Sequence, residues 1–323
     1  MATDKKKILS YLIKFAVLVL AAVFIYKKLS NNQNLRDFAD LIKGLDITKV
    51  RISLFGVLLL MFLNWFIESI KWEYIIRKVE KISLWRSIES VFCGLTWAVF
   101  TPNRIGEYGG RVFFLPNTKR IKGVVAMSVG HIAQMVLTNI FGAIAILWFI
   151  NTFQKLDVWV FIVIAFIALV YCSFFVVFYF NIHWLNSLIG GVGFLKKFRR
   201  FSEILETYTR YELCLIIFYS ILRFAVFTSQ YLLVIKLLVP EIAIYQCILL
   251  VFILFFVQSA LPSLDLLDFG VRGMTAAYFF GFITNQEIAI MSAAALIWFV
   301  NLMIPAVIGS FFVFKLKFFG NNY

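Results

Sequence analysis

The chain has 323 residues, 62% of them hydrophobic, 18% aromatic and 15% charged, with a formal net charge of +14. So little polar sequence cannot cover a soluble surface, and the apolar runs reach the roughly 20 residues a spanning helix needs, so a soluble domain is excluded and a multi-pass membrane protein indicated. Two histidines and four cysteines scattered through apolar sequence leave no basis for a disulfide framework or a metal centre, and no metal or other cofactor is expected.

Lys5, Lys6 and Lys7 precede an apolar run at 8–29 that is broken once by Lys14 and followed by Lys27 and Lys28. It is longer than the apolar core of a cleaved signal peptide and reads as a retained first span. Next, Leu35, Phe38, Leu41, Ile42 and Leu45 recur at helical spacing among Arg36, Asp37, Asp40 and Lys43, which predicts a short amphipathic helix on the outer interface. Further spans are expected at 52–70, 123–150, 158–180, 213–238 and 288–314, with broken regions at 88–115 and 245–283. The expected fold is an all-α integral membrane protein of about six full spans plus two broken, re-entrant hairpins. The second hairpin is long enough that nearly full crossings remain open for it.

Segments on one side of that topology carry 18 Lys/Arg and those on the other carry 7, so the positive-inside rule places both termini in the cytoplasm. The expected location is the cytoplasmic (inner) membrane of a prokaryote. The basic excess then reflects topology and attraction to anionic lipid rather than nucleic-acid binding. The stretch 181–212, with Gly190, Gly191 and Gly193 before Lys196, Lys197, Arg199 and Arg200, reads as a flexible cytoplasmic linker. No GK[ST] follows the glycines, so a phosphate loop is the weaker reading. The chain forms one polytopic domain, with halves 1–180 and 213–323 on either side of this linker.

The pattern acid–aromatic–Gly–x–Arg occurs twice, as Glu107-Tyr108-Gly109-Gly110-Arg111 and as Asp268-Phe269-Gly270-Val271-Arg272. Each copy follows a proline, Pro102 or Pro262, and each region has titratable groups at relative positions 1, 4 and 8: Arg104, Glu107, Arg111 and Asp265, Asp268, Arg272. That spacing puts all three on one helix face. Charge at membrane depth costs several kcal/mol, so both clusters are candidate functional sites. Proline ends the preceding helix, and non-helical backbone at that depth must face protein or a water-filled cavity. The two hairpin-containing units run in opposite directions through the membrane, an inverted repeat of the kind in which transporters place a midplane site.

TPNRIGEYGGR from Thr101 and LPSLDLLDFGVRG from Leu261 resemble the two motifs of the lysylphosphatidylglycerol synthase transmembrane, flippase-like family. The resemblance extends over nearly the whole chain, and Pro102, Arg104, Gly106, Glu107, Pro262, Gly270 and Arg272 match it residue by residue. The pattern is departed from at Gly273, where glutamate is usual, and at His131 and Gln134, where a charged pair is usual. The resemblance implies a lipid translocase. No counterpart of the soluble aminoacyl-transferase domain of two-domain members is seen, so lipid aminoacylation is not expected of this chain.

Arginine binds phosphate bidentately and stays charged, so Arg104, Arg111 and Arg272 are the expected head-group contacts for an anionic phospholipid or polyprenyl-phosphate-type lipid. Glu107 and Asp268 either pair these arginines in the empty site or carry a coupling proton. Arg223 and Gln230 share a face of their span and either extend the polar path or, for Arg223, pair with Asp265 or Asp268. Gly106, Gly109, Gly110 and Gly270 are expected to allow close backbone approach. Glu68 reads as interfacial rather than catalytic, His131, beside Gln134 and one turn from Ser128, as a hydrogen-bonded packing residue ahead of a proton relay, and Trp72, Trp85 and Trp159 as interfacial anchors. The alternative functions are a membrane-embedded enzyme or a scaffold acting on lipid-linked envelope precursors, with envelope-biosynthesis enzymes as partners. No nucleophile–base pair supports the enzyme, so none is expected.

Overall fold

The computed structural model describes residues 33–101, 104–186, 199–260 and 268–314, and all its regular elements are helical. The expected first span at 8–29, Pro102, Pro262, Asp265 and the glycines of 190–193 lie outside the described residues.

Helix α1 (Gln33–Lys43) is the amphipathic helix: Phe38 is buried, Leu41 exposed. Asp46 then caps α2, its Oδ1 accepting from Thr48 N at 2.7 Å, and α2 (Ile47–Ile76) runs for 30 residues. At 1.5 Å per residue that is about 45 Å, enough to cross a bilayer with tilt. Ser83 caps α3 (Leu84–Val99), which is followed after a break by the short α4 (Ile105–Val112). Helix α5 (Arg120–Phe153) and α6 (Val158–Phe180) complete the first half. Tyr179 is the one buried residue of α6, so this helix presents nearly all its apolar surface outward, as a lipid-facing span does.

A Thr209/Glu212 capping box starts α7 (Arg210–Leu238). Helix α8 (Ile244–Ala260), α9 (Asp268–Phe280), α10 (Glu287–Trp298) and α11 (Ile304–Val313) follow. Asp268 and Gly270 lie in the first turn of α9. Five stretches are long and apolar enough to span: Ile47–Ile76, Asn117–Phe153, Val158–Phe180, Arg210–Leu238 and Glu287–Val313. The protein is an all-α, multi-pass integral membrane protein.

The expected plain span at 288–314 is interrupted. A π segment, Phe299–Met303, joins α10 to α11, with the Ile304 N–H donating to the Phe299 carbonyl five residues back rather than four. Pro305 follows it within the same run. Of the expected interfacial tryptophans, Trp85 and Trp159 are exposed but Trp72 is fully buried. It packs inside the bundle beneath a charge network described below.

The most extensive helix–helix contact is α2 with α7. Next to it, α3 lies along α11, and α5 lies along α8. The latter two crossings each use a glycine of a long span. A Cβ on Gly309 would sit 1.9 Å from the Phe92 carbonyl oxygen, and one on Gly142 would sit 2.4 Å from Phe256 Cβ. Thr96 Oγ1 also donates to the Ala306 carbonyl at 2.8 Å. The leading helix of each broken pair is thus embraced by a span of the other half.

Candidate functional site

The first broken pair is held tightly. A Cβ on Gly110 would fall 2.6 Å from Gly94 Cα, so α3 and α4 cross glycine on glycine. Gly106 is equally constrained, since its Cβ would meet the Trp97 carbonyl oxygen at 2.3 Å and its N–H donates to Thr101 Oγ1 at 2.7 Å. Gly109 is different. Its nearest neighbour would be Phe113 at 3.8 Å, ordinary contact, so the expectation that it permits close approach is not met and Gly94, unnoticed in the sequence, takes that role. Arg104 precedes α4 with φ 57° and ψ 25°, the left-handed region that costs a non-glycine residue about 1 kcal/mol or more. The turn is thereby bent so that Arg104 and Arg111 approach Glu107 from opposite directions along the chain.

Glu107 Oε2 accepts from Arg104 Nε at 3.1 Å, and its Oε1 accepts a very short bond from Arg111 Nη2. Arg111 Nη1 donates to Glu68 Oε1 at 2.7 Å. The other oxygen of Glu68 accepts from Lys71 Nζ at 2.8 Å and from Arg223 Nη1 at 2.5 Å. Arg223 Nε reaches Asn64 Oδ1 at 3.1 Å, with its guanidinium 5.2 Å above Trp65. Glu68, Lys71, Glu107 and Arg111 are each at most 5% exposed. Among the described residues, four cations therefore share two carboxylates in the centre of the bundle. Glu68 is the hub of this network rather than an interfacial residue. Arg223 pairs with Glu68 and Asn64, which gives it a structural partner of a kind different from Asp265 or Asp268.

A cavity of about 520 Å³ opens onto the network, within the roughly 300–1,000 Å³ of small-molecule sites. Arg104, Glu107, Glu68 and Arg223 form part of its wall, and Arg272 of α9 reaches the same cavity from the second motif. Arg111 does not line it. At 2% exposed, Arg111 lies behind the two glutamates, 5.7 Å over Trp72, where it holds the carboxylates instead of facing a ligand. Gln230 is likewise off the cavity: fully buried, it donates to the Val57 carbonyl at 2.9 Å and pins α7 to α2. His131 does face the cavity, and its Nδ1 shares a very short hydrogen bond with Tyr108 of the first motif. Phe224, Phe227, Phe255 and Leu302 make the remaining wall apolar.

Residues 11–310 match the family model described as the lysylphosphatidylglycerol synthase TM region. The chain belongs to this family. Searches of curated proteins and of solved structures found no match. Membership in the lysylphosphatidylglycerol synthase TM family and the helical membrane fold together fit a lipid-related membrane protein. Within that frame, the motif residues the structure brings to one cavity are Arg104, Glu107 and Arg272, joined by Arg223. Sequence reasoning passed over Lys71 and Asn64 and set Glu68 at the interface instead of in the network. Their signal was a Glu–x–x–Lys pair one helical turn apart, which falls inside α2 once the helix is seen to continue to Ile76 instead of ending near residue 70.

Proposed function

We propose that this protein translocates an anionic lipid between the leaflets of the membrane, binding the head-group phosphate with Arg104, Arg223 and Arg272. The observation that carries this reading is the single cavity lined by cationic residues of both motifs, with a charged wall on one side and a phenylalanine-rich wall on the other. An amphiphile needs both surfaces at once. Arginine's planar fork suits a phosphate, and in an interior of low dielectric the attraction between the two is stronger than in water. Glu107 and Glu68 keep the arginines paired when no phosphate is present, because an unpartnered buried charge costs several kcal/mol. Arg111 and Lys71 act as positioning residues behind them.

The reciprocal packing of α3 on α11 and α5 on α8 supports an inverted-repeat arrangement. Helices α4 and α9, with 8 and 13 residues, are too short to cross alone, as re-entrant hairpins require. Rocking of one half against the other then exposes the cavity to each leaflet in turn. Both termini and the 181–212 segment lie on the cytoplasmic side in this reading.

The test is reconstitution of the purified protein in liposomes carrying a trace of head-group-labelled anionic lipid, with bleaching of the outer leaflet by an impermeant reductant. A translocase lets the protected inner pool become accessible without changing the mass of the lipid. A changed lipid mass would instead identify a membrane-embedded enzyme, and no movement in any lipid composition would leave the scaffold reading.

A further inference from the structure

One oxygen of Glu68 serves two cations. Lys71 Nζ at 2.8 Å and Arg223 Nη1 at 2.5 Å both donate to Oε2, while Arg111 Nη1 takes Oε1 at 2.7 Å. Two positive charges facing each other across one oxygen repel, and in a buried site little water screens them. Of the three cations only the lysine can give up its proton, since a guanidinium stays charged in a protein. Lys71 is 1% exposed, and Glu68 is its one ion-pair partner among the described residues.

The charged and titratable groups around Lys71 are Glu68 on its own helix, Arg223 of α7, Arg111 of α4 with Glu107 bound to it, and His131 of α5, next to the Gly130 that Lys71 lies against. Helix α3 also packs on α2 and carries buried Glu89, while its Cys93 turns to Phe114 and Val313. The π segment adds no titratable group. Among these, Arg223 alone both shares an oxygen with Lys71 and reaches the cavity.

The proton also has a way out. Glu68 lines the cavity, as do Trp65, Gln134, Gln258 and Asn301, whose Nε1, Oε1, Nε2 and Oδ1 are buried with no hydrogen-bond partner among the described residues. Buried polar atoms are rarely left so, which marks the cavity as hydrated. A proton leaves Nζ along the 2.8 Å bond to Glu68 Oε2, the electron pair stays on nitrogen, and Glu68 passes the proton to water in the cavity.

Resting on the translocase reading above, we propose that Lys71 is the seat of a coupling proton and that this proton and the lipid bind together. A phosphate that draws Arg223 off Glu68 removes the charge facing Lys71, so the lysine holds its proton more firmly when cargo is bound. By reciprocity, a protonated Lys71 pushes Arg223 towards the phosphate, and a neutral one leaves Arg223 on Glu68. Lipid and proton then cross in the same direction. Lys71 touches no cargo; it is a positioning residue that acts through Glu68 and Arg223.

The experiment measures binding of phosphatidylglycerol to the full-length protein in phosphatidylcholine nanodiscs from about pH 6 to about pH 9, over which the phosphodiester charge is fixed. Affinity should fall about fivefold or more as the pH rises, and by no more than about tenfold per pH unit, the limit for one proton. Calorimetry in two buffers of different ionisation heat should show proton uptake, at most one per lipid bound. Lys71→Arg keeps the charge and cannot release it, so its affinity should no longer vary with pH, and Lys71→Met should lose the dependence as well. A purely structural lysine would change affinity or stability and leave the pH profile as it is. A flat profile without proton uptake in the unaltered protein overturns the coupling, whether or not either variant folds, and leaves the translocase reading in place. A profile that persists in Lys71→Arg or Lys71→Met overturns the assignment to Lys71. Binding at no pH removes the anionic-lipid reading and the proposal with it.

Discussion

Glu68 is the residue whose loss the structure makes most costly. Its carboxylate holds Lys71, Arg111 and Arg223 at 2.8, 2.7 and 2.5 Å. In Glu68→Gln, Arg111 retains Glu107 and Arg223 retains Asn64 Oδ1, but Lys71, 1% exposed, has Glu68 as its one ion-pair partner among the described residues. Breaking a buried pair in this way costs about 3–5 kcal/mol, and the glutamine oxygen still accepts one bond, so the lower end applies. For a chain of this length each kcal/mol moves the melting midpoint by roughly 2 °C, so Glu68→Gln should melt about 6 °C or more below wild type in the same detergent. Adding Lys71→Met removes the stranded ammonium and replaces it with an apolar chain of similar volume, which is close to neutral. The double variant should therefore recover most of the loss and melt within about 3 °C of wild type. A Glu68→Gln protein that melts with wild type, or a double variant no better than the single, would mean that water reaches Lys71 and that the buried network does not exist as described.

Neighbouring glycines give a sharper contrast. Gly110→Ala drives a Cβ to 2.6 Å from Gly94 Cα and should destabilise by about 1–3 kcal/mol, whereas Gly109→Ala makes only an ordinary contact with Phe113 at 3.8 Å and should be neutral or stabilising by up to about 1 kcal/mol, read from melting of the two variants side by side. Arg104→Ala and Arg272→Ala should each weaken anionic-lipid binding, and because both line one cavity the double variant should depart from additivity by at least about 0.5 kcal/mol; strict additivity would place them at separate sites. For orientation, Glu203→Cys and Asn285→Cys, both exposed, in a background without native cysteines should react with an impermeant reagent from opposite faces, Glu203→Cys from the cytoplasm. Reaction of both in intact cells would overturn the proposed topology.

Much of the fold was written in periodicity and breaks. The amphipathic α1, the long spans and the helix ends on either side of 100–104 follow from apolar spacing and from polar residues in apolar surroundings, signals that need no tertiary information. The site was legible only in outline. Arg104, Glu107 and Arg272 stood out because charge is rare at that depth, but which arginine faces the cavity depends on a left-handed turn at Arg104 that spacing alone does not reveal. Equal offsets within the two motifs suggested that Arg111 and Arg272 do the same work. The packing separates them, since Gly94 lets α4 sink against α3 and carries Arg111 behind Glu107. The π segment was hidden for another reason: a helix with a five-residue step has the same composition as one without it, and only Asn301 and Pro305 hinted at the irregularity.

Arg223 ties binding to the arrangement of the two halves. It stands on α7, yet its ion-pair partner Glu68 and its hydrogen-bond partner Asn64 are both on α2, across the most extensive interface in the molecule. On the translocase reading, a lipid phosphate that draws Arg223 away from Glu68 exchanges a contact between the halves for a contact with cargo, so occupancy and the relative position of α2 and α7 become linked. Glu68 tolerates that exchange because Lys71 and Arg111 remain on it. Arg223→Gln tests the idea without stranding a charge. Its stability loss should stay near 1 kcal/mol, about 2 °C, since glutamine can still donate to Glu68, while lipid movement in liposomes should fall at least about tenfold. Arg223→Lys keeps the charge but loses the fork that spans Asn64 and Glu68 together, so it should fall between wild type and Arg223→Gln. Normal lipid movement in a well-folded Arg223→Gln protein would show that cargo binding does not compete for this residue, and the link between the cavity and the α2–α7 interface would have to be dropped.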